Sequence, residues 1–357
     1  MAKKIIVVGA GIIGASLAYH LAANGSDVTV LDANAVAGGV ATRNSWAWIN
    51  ASWGHPEHYV KLRMHAMEMW KPLAEVHPKL VVNWCGGLLW DLEQQALLDY
   101  VKQHSGFGYE VRTVDRDEAQ RIEPHLLNPP ALAAFAMGEG MIEPIAAVEG
   151  FTAVAQQKGA LFFRGQAVSQ LVRKNDRVIG INANGLLHEA DEVVLAGGLG
   201  GLALLRDLGL DMRVDGPAGL LVHTEPTSKL LNGLVMSPEF HVRQTAEGRL
   251  VLGSDFGGTQ PGDDPAKTAA QVLTKLPSVV RGAEDLKMDF YTLGYRPTPA
   301  DGFPAVGRPR GVEGLYVAVM HSGITLAPAI GAIGADEILN DVRHNLLQPY
   351  HPDRLLS

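Results

Sequence analysis

A glycine triplet near the start of the chain, Gly9-x-Gly11-x-x-Gly14, is the first group whose spacing carries chemistry. Gly9 allows a tight turn, Gly11 lets a pyrophosphate approach the backbone, and Gly14 lets a helix pack on the preceding strand. Ile12 and Ile13 fall where the helix opens, and free N–H groups and the dipole there stabilise phosphate charge. Asp32 closes the next apolar run and can accept hydrogen bonds from an adenosine ribose. An acid at that point disfavours a 2′-phosphate. A lone glycine triplet is a weak signal; with strand, helix and acid all placed it is a strong one. The motif specifies a dinucleotide and leaves NAD and FAD both open.

Arg296 is the next reactive type, because a planar guanidinium binds a carboxylate through two parallel hydrogen bonds. The bland alternative is an ion pair with Asp301 inside the same turn. His321 and His241 could accept a proton or hydrogen bond from an amine; equally, they could be a packed histidine and a sheet-edge histidine. Trp46, Trp48 and Trp53 could wall a ring-shaped ligand or fill core. His55 and His58 are separated by Pro56 from any helical register and lack a third ligand nearby, so no metal site is expected. There is no G-x-S-x-G elbow, no P-loop lysine and no paired-cysteine zinc pattern.

These residues need elements to hold them. Lys4–Val8 reads as a buried strand, 13–23 as a helix and 27–31 as a second strand, which is the βαβ order. The segment 38–54 reads as a long ordered loop. Helices are predicted over 58–75, 93–104, 117–121, 145–158 and 268–276. Strands are predicted over 81–90, 110–114, four runs between 160 and 196, then 220–224, 240–243 and 249–253. A strand over 315–320 leads to His321-Ser322-Gly323 and a last helix beginning near Pro328. Nucleotide-type elements stand at both ends with antiparallel elements between, so two interleaved domains are expected. The cofactor part is assigned 1–80, 145–215 and 294–357, the substrate part 81–144 and 216–293.

Composition agrees. The chain has 357 residues, 47% hydrophobic and 19% charged, enough for a sizeable core and against disorder. Thirty basic against 38 acidic residues give a net charge of −8, which disfavours nucleic acid as a partner. One cysteine, Cys85, excludes an internal disulfide framework. No apolar run is long enough to span a bilayer, and the glycines after Lys3-Lys4 break the look of a signal segment, so a cytoplasmic location is expected. Forty glycines in a core-forming chain suggest many close backbone approaches.

Four blocks together resemble the D-amino-acid oxidase/glycine oxidase-like superfamily of FAD-dependent oxidoreductases, nearly end to end. They are Ile5–Asp32; Gly38-Gly39-Val40-Ala41-Thr42-Arg43-Asn44-Ser45; Ala190 to Gly198; and Gly294-Tyr295-Arg296-Pro297-Thr298-Pro299-Ala300-Asp301-Gly302-Phe303-Pro304 with 315–331. The resemblance implies an α/β fold in which a Rossmann-like FAD domain is interleaved with a mostly antiparallel substrate domain. It implies FAD with Gly9, Gly11, Ile12, Ile13 and Gly14 at the pyrophosphate, and Asp32 and Ala33 at the ribose. It places Thr42, Arg43, Asn44 and Ser45 at pyrophosphate and flavin, with Trp46, Ala47 and Trp48 beside the ring. It sets Val168 at the adenine, Ala196 and Gly197 along the pyrophosphate, and the amides of Gly323, Ile324, Thr325 and Leu326 near flavin N1 and O2. Cys85 is far from the C-terminal block where some members attach flavin, so non-covalent FAD is expected.

On the substrate side the resemblance gives Arg296 the substrate carboxylate, with Tyr295 and Trp48 beside it. His321 stands where glycine-oxidase-like members carry arginine, and His241 where some carry tyrosine. The expected reaction is oxidation of a C–N bond in an amino acid or N-substituted amino acid, D-amino acid, glycine/sarcosine-like or opine-like. Hydride would pass to flavin N5 and the imine would hydrolyse. Oxygen or another acceptor would take the electrons, and a homo-oligomer or hetero-oligomeric complex is allowed. Two other readings stand beside it: a flavin-binding subunit of a larger amine or opine dehydrogenase, and a 2-hydroxy acid oxidoreductase.

Overall fold

A computed structural model describes residues 2–52, 56–255 and 257–356. Trp53 and His55 lie outside the described residues.

The β-branched run Lys4–Val8 forms the centre of a six-stranded sheet. Across the sheet the order is Ala305–Gly307, Leu315–Val319, Glu192–Leu195, Lys4–Val8, Asp27–Asp32 and Leu161–Arg164. All neighbours are parallel except the first pair. The central strands are buried on both faces, which is why they read as unbroken apolar runs rather than alternating ones. The helix Ile12–Ala23 crosses from the first strand to the second and packs on the last helix, Gly323–Asn340. Their contact is close because Gly331 leaves room for Ser16, whose hydroxyl donates to the Ala327 carbonyl at 2.7 Å.

That last helix starts at Gly323, a turn and more before the predicted Pro328. Proline favours a first-turn position, but here it lies inside the helix. Having no N–H, Pro328 leaves the Ile324 carbonyl without its helical donor. The Trp70 indole supplies one, donating to Ile324 O and Thr325 O at 3.1 Å each. The helix is therefore tolerated with a proline because a tryptophan from Glu57–Trp70 mends it.

The second sheet has eight strands in the order Met288–Tyr295, Ala218–Thr224, Leu250–Gly253, His241–Gln244, Leu234–Met236, Gly87–Leu89, Leu132–Ala136 and Val111–Asp115. It is antiparallel apart from Gly87–Leu89 against Leu234–Met236. Its far face packs under the helix Pro265–Leu273. Three antiparallel strands between 168 and 189 cover the six-stranded sheet on the side away from the helices. The fold class is the expected one: a Rossmann-like α/β part with a sheet-rich part inserted between its elements.

Local differences have local causes. Only Gly87–Leu89 of the predicted 81–90 strand is strand, because only that stretch has sheet neighbours on both sides. The 38–54 loop contains a short strand, Trp48–Ile49, paired with Gly140–Met141.

Candidate functional site

The C-terminal ends of the parallel strands open into one cavity of about 640 Å³, lined at that edge by Val8, Asp32, Ala196 and Val319. Ligands of open α/β sheets bind at this edge, where loops and helix starts meet. The cavity runs from the glycine loop to the second sheet, where Gly219, Leu221, Gly294 and Arg296 close it.

At the first end the loop does what its glycines allow. Gly9 has φ +104°, and its amide donates to the Leu31 carbonyl at 2.7 Å. The Asp32 carboxylate ties the loop together: Oδ2 accepts the Ala10 amide at 2.6 Å and Oδ1 accepts the Asn34 amide at 2.7 Å. Thr42 Oγ1 accepts the Ile12 amide at 3.2 Å, so the second loop braces the start of the helix. A run of glycines, Gly197, Gly198, Gly200 and Gly201, lines the facing wall beside Ala196. Bare backbone on both walls and first-turn amides without helical acceptors suit a pyrophosphate. Asp32→Ala is expected to weaken FAD retention about tenfold or more, because it leaves the buried Ala10 amide unpaired. The flavin-to-protein ratio after gel filtration reads this.

The loop after Asp32 is bolted to the second sheet. Asn44 Nδ2 donates to the Leu293 carbonyl at 2.8 Å, and Trp46 Nε1 to Val251 at 3.1 Å. Trp46 and Trp48 meet edge to face at 5.9 Å between ring centres. Ala47 between them has φ +60°, with its amide held by Ser45 Oγ at 3.0 Å. Ser322, also left-handed at φ +58°, turns the last strand into the last helix. The amides of Gly323, Ile324 and Thr325 are thereby presented at the cavity without intrahelical acceptors. Such a helix start favours negative charge.

Most of the expected residues line this cavity: Gly9, Gly11, Ile12, Ile13, Asp32, Ala33, Thr42, Asn44, Ser45, Trp46, Ala47, Trp48, Val168, Ala196, Gly197, Tyr295, Arg296, His321, Gly323, Ile324 and Thr325. Four do not. Gly14 lies beneath the loop, where a Cβ would overlap the Gly9 carbonyl oxygen. Arg43 turns away and donates to the Ala37 carbonyl at 2.8 Å. Leu326 is fully buried and its amide is already used by Ser322 O at 3.1 Å. His241 is in the interior of the second sheet, not at its edge; its Nε2 is 2.7 Å from Asp91 Oδ2 and its ring packs beside Trp46.

Arg296 is half-buried at the cavity wall with its guanidinium against Gly257. Burial lowers its pKa and Asp255 pulls the other way. Among the described residues its buried Nε has no hydrogen-bond partner and no carboxylate is within ion-pair distance. Asp301 is taken instead by Arg354, at 2.6 and 3.1 Å. His321 Nδ1 is 3.0 Å from Ser322 Oγ. His58 Nδ1 is 2.7 Å from the Tyr350 hydroxyl. Cys85 is not on the cavity wall, and burial pushes its thiol up to about 12, away from reactivity.

Sequence reasoning missed Asn50, Ser52 and Arg63, which also line the cavity, and the buried Glu139 behind them. No local spacing marks these. The glycines 198, 200 and 201 were visible as a run following the Val193–Ala196 strand pattern.

A glycine-rich nucleotide loop, an acid at the second strand's end and an electropositive helix start facing one cavity define a dinucleotide-binding protein of the Rossmann-like class. The chain belongs to the DAO family of FAD-dependent oxidoreductases, whose family model matches residues 4–337. It is 27% identical to a glycine oxidase of Bacillus licheniformis, over 98% of this chain and 96% of that one. It is 21% identical to one of the subunits of an opine oxidase of Rhizobium meliloti, over 93% and 92% of the two chains. Its fold superposes on the crystal structure of an L-proline dehydrogenase from P. horikoshii with a TM-score of 0.89, at 22% identity and 99% and 97% coverage. No helix among the described residues is long and apolar enough to cross a membrane.

Proposed function

We propose that this FAD-dependent enzyme oxidises the C–N bond of a small amino acid or N-substituted amino acid, of the glycine/sarcosine, D-amino acid or opine kind. The observation that carries the reading is Arg296: a guanidinium on the cavity wall, partly stripped of water, with no described carboxylate paired to it. FAD bound in this cavity would supply the two-electron hydride acceptor for oxidation of the C–N bond, and the imine product would be hydrolysed by water.

The chain's own residues orient and shield. Gly9, Gly11, Ile12 and Ile13 hold the pyrophosphate, Asp32 and Ala33 the ribose, and the backbone at Val168 the adenine. The amides of Gly323, Ile324 and Thr325 stabilise negative charge at the flavin's pyrimidine edge. Arg296 fixes the substrate carboxylate, so that the neighbouring carbon is held in one orientation. Trp48 and Tyr295 wall the substrate, and His321 accepts a hydrogen bond from its amine. We assign the cofactor role to segments 1–80, 145–215 and 294–357, and the substrate role to 81–144 and 216–293. The 2-hydroxy acid reading needs a base. It loses support because His241, one of its two candidate bases, is sequestered with Asp91 away from the cavity wall.

The test is the visible spectrum of the purified protein under anaerobic titration with glycine, sarcosine, D-alanine, proline, an opine and a 2-hydroxy acid. A yellow protein bleached by one of these, and not by the amine lacking its carboxylate, is the expected result. Bleaching by 2-hydroxy acids alone would sink the reading. The kinship with one component of an opine oxidase supports a second one, a flavin-carrying chain that needs a partner for turnover. A protein that bleaches but does not turn over with an artificial acceptor until a partner is added would favour it.

A further inference from the structure

Behind Trp48 lies a carboxyl that the proposed reaction leaves without a task. Glu139 is fully buried. Its Oε2 accepts the Trp48 indole N–H at 2.8 Å. Its Oε1 accepts the Tyr109 hydroxyl at 2.6 Å and the Ser52 hydroxyl. Ser52 Oγ is also 2.6 Å from the Tyr100 hydroxyl. The same patch holds Arg63, which donates to the Ser52 carbonyl at 3.0 Å and to Asn50 Oδ1. Trp48, Asn50, Ser52 and Arg63 all line the cavity. Gly87 makes room for the carboxylate, since a Cβ there would come 2.5 Å from Oε2.

A merely structural acceptor for an indole N–H needs no ionisable group. An amide or a backbone carbonyl would serve, and a buried carboxylate without a direct ion pair is destabilising. The number of donors explains what the carboxylate adds. As an anion it accepts from Trp48, Tyr109 and Ser52 together. As an acid it must itself donate. A proton on Oε2 competes with the Trp48 indole, and a proton on Oε1 forces Ser52 or Tyr109 to turn its hydroxyl round. Ser52 can turn, because its contact with Tyr100 can run in either direction; a proton on Oε1 then leaves Trp48 its bond to Oε2 but changes it from a charge-assisted bond to a neutral one of roughly half the strength.

We propose that Glu139 is a positioning residue that locks the Trp48 wall of the substrate end when ionised and loosens it when protonated. The proposal rests on the assignment of Trp48 to the substrate. Among the described residues, the charged and titratable groups facing Glu139 are Arg63, on the helix Glu57–Trp70, Tyr100, on the helix Gln94–Gly106, Tyr109, and Cys85, whose thiol stays neutral. Burial, opposed by hydrogen bonds from Ser52, Tyr109 and Trp48 and by the charge of Arg63, pushes the carboxyl up to about 7. Both states are therefore populated around neutral pH.

The experiment titrates the FAD-loaded protein from about pH 5.5 to 8.5 while tryptophan fluorescence and near-ultraviolet circular dichroism are recorded. Wild type is expected to show a transition near pH 7. It should vanish in Glu139→Gln, which keeps an acceptor for Trp48 but cannot titrate, and in Trp48→Phe, which removes the reporter. The pH profile of KM for whichever amino acid bleaches the flavin should carry a change of at least about threefold near pH 7 in wild type that the profile of Glu139→Gln lacks. A transition that survives in Glu139→Gln, or a wild type that shows none, overturns the proposal. The spectroscopic arm needs no substrate, so its failure is separate from failure of the amine-oxidising reading. A fluorescence transition without any change in KM would instead remove Trp48 from the substrate wall and the proposal with it.

Discussion

Arg296→Leu is expected to raise the KM for carboxylate-bearing amines by roughly 10²- to 10⁴-fold while FAD stays bound. Two charge-assisted hydrogen bonds to a carboxylate contribute about 1.5–3 kcal/mol each, and both disappear with the guanidinium. The position is set by backbone: the Arg296 amide donates to the Pro217 carbonyl at 3.2 Å, at the end of the strand Met288–Tyr295. What reaches the cavity is the side chain, laid across Gly257. Arg296→Lys should recover only part of the loss, because an ammonium offers a point charge and no parallel fork. Gly257→Ala tests the same clamp without touching the arginine, since the new Cβ would overlap Arg296 Nη1 and push the guanidinium aside. It should raise KM less than Arg296→Leu does. Steady-state kinetics on flavin-replete protein decides. An unchanged KM in Arg296→Leu would remove the carboxylate from this residue.

Why was Arg296 readable in the sequence and Glu139 not? Arg296 belongs to a contiguous block whose order, Arg-Pro before an Asp-Gly-x-Pro turn, survives as a string. The nucleotide loop is of the same kind: its parts all fall between Gly9 and Asp32, and their roles follow from spacing. The Glu139 cluster has no such string. Its members come from positions 48, 52, 63, 100, 109 and 139, and only tertiary packing brings them together. The pairing of Arg296 with Asp301 failed for a related reason. Proximity in sequence made it attractive, but Arg354 folds back from the chain's end and takes that carboxylate.

The elements show the same division. Buried parallel strands declared themselves as apolar runs, whereas Leu132–Ala136 (LAAFA) and Met288–Tyr295 were not foreseen. Alanine has low strand propensity, and the first of these becomes strand through neighbours on both sides. The second is an edge strand with a mixed burial pattern, so no alternation marks it. The true start of the last helix was hidden by Pro328, because its compensation comes from Trp70, on another helix.

Gly14 shows how a residue can control a ligand it does not touch, and its substitution should have the other large effect. Gly14→Ala is expected to weaken FAD binding roughly 5- to 150-fold, the equivalent of about 1–3 kcal/mol of overpacking passed to the loop. The obstacle is main chain: the new Cβ would overlap Gly9 O and stand 3.0 Å from Gly9 C, so no side-chain rotamer can relieve it. Helix and loop must part, and Gly9, at φ +104°, is held between Leu31 and Ala196, with no space to retreat. The control is Gly25→Ala, just past the end of the same helix. Gly25 has φ +85° with nothing among the described residues within 4 Å of a new Cβ, so alanine there strains the backbone without meeting any of them. It should lower the melting temperature while leaving the flavin-to-protein ratio intact, whereas Gly14→Ala should lose the yellow colour on gel filtration even where circular dichroism shows a folded chain. Equal flavin content in the two variants would mean that the helix-to-loop contact does not shape the pyrophosphate cradle.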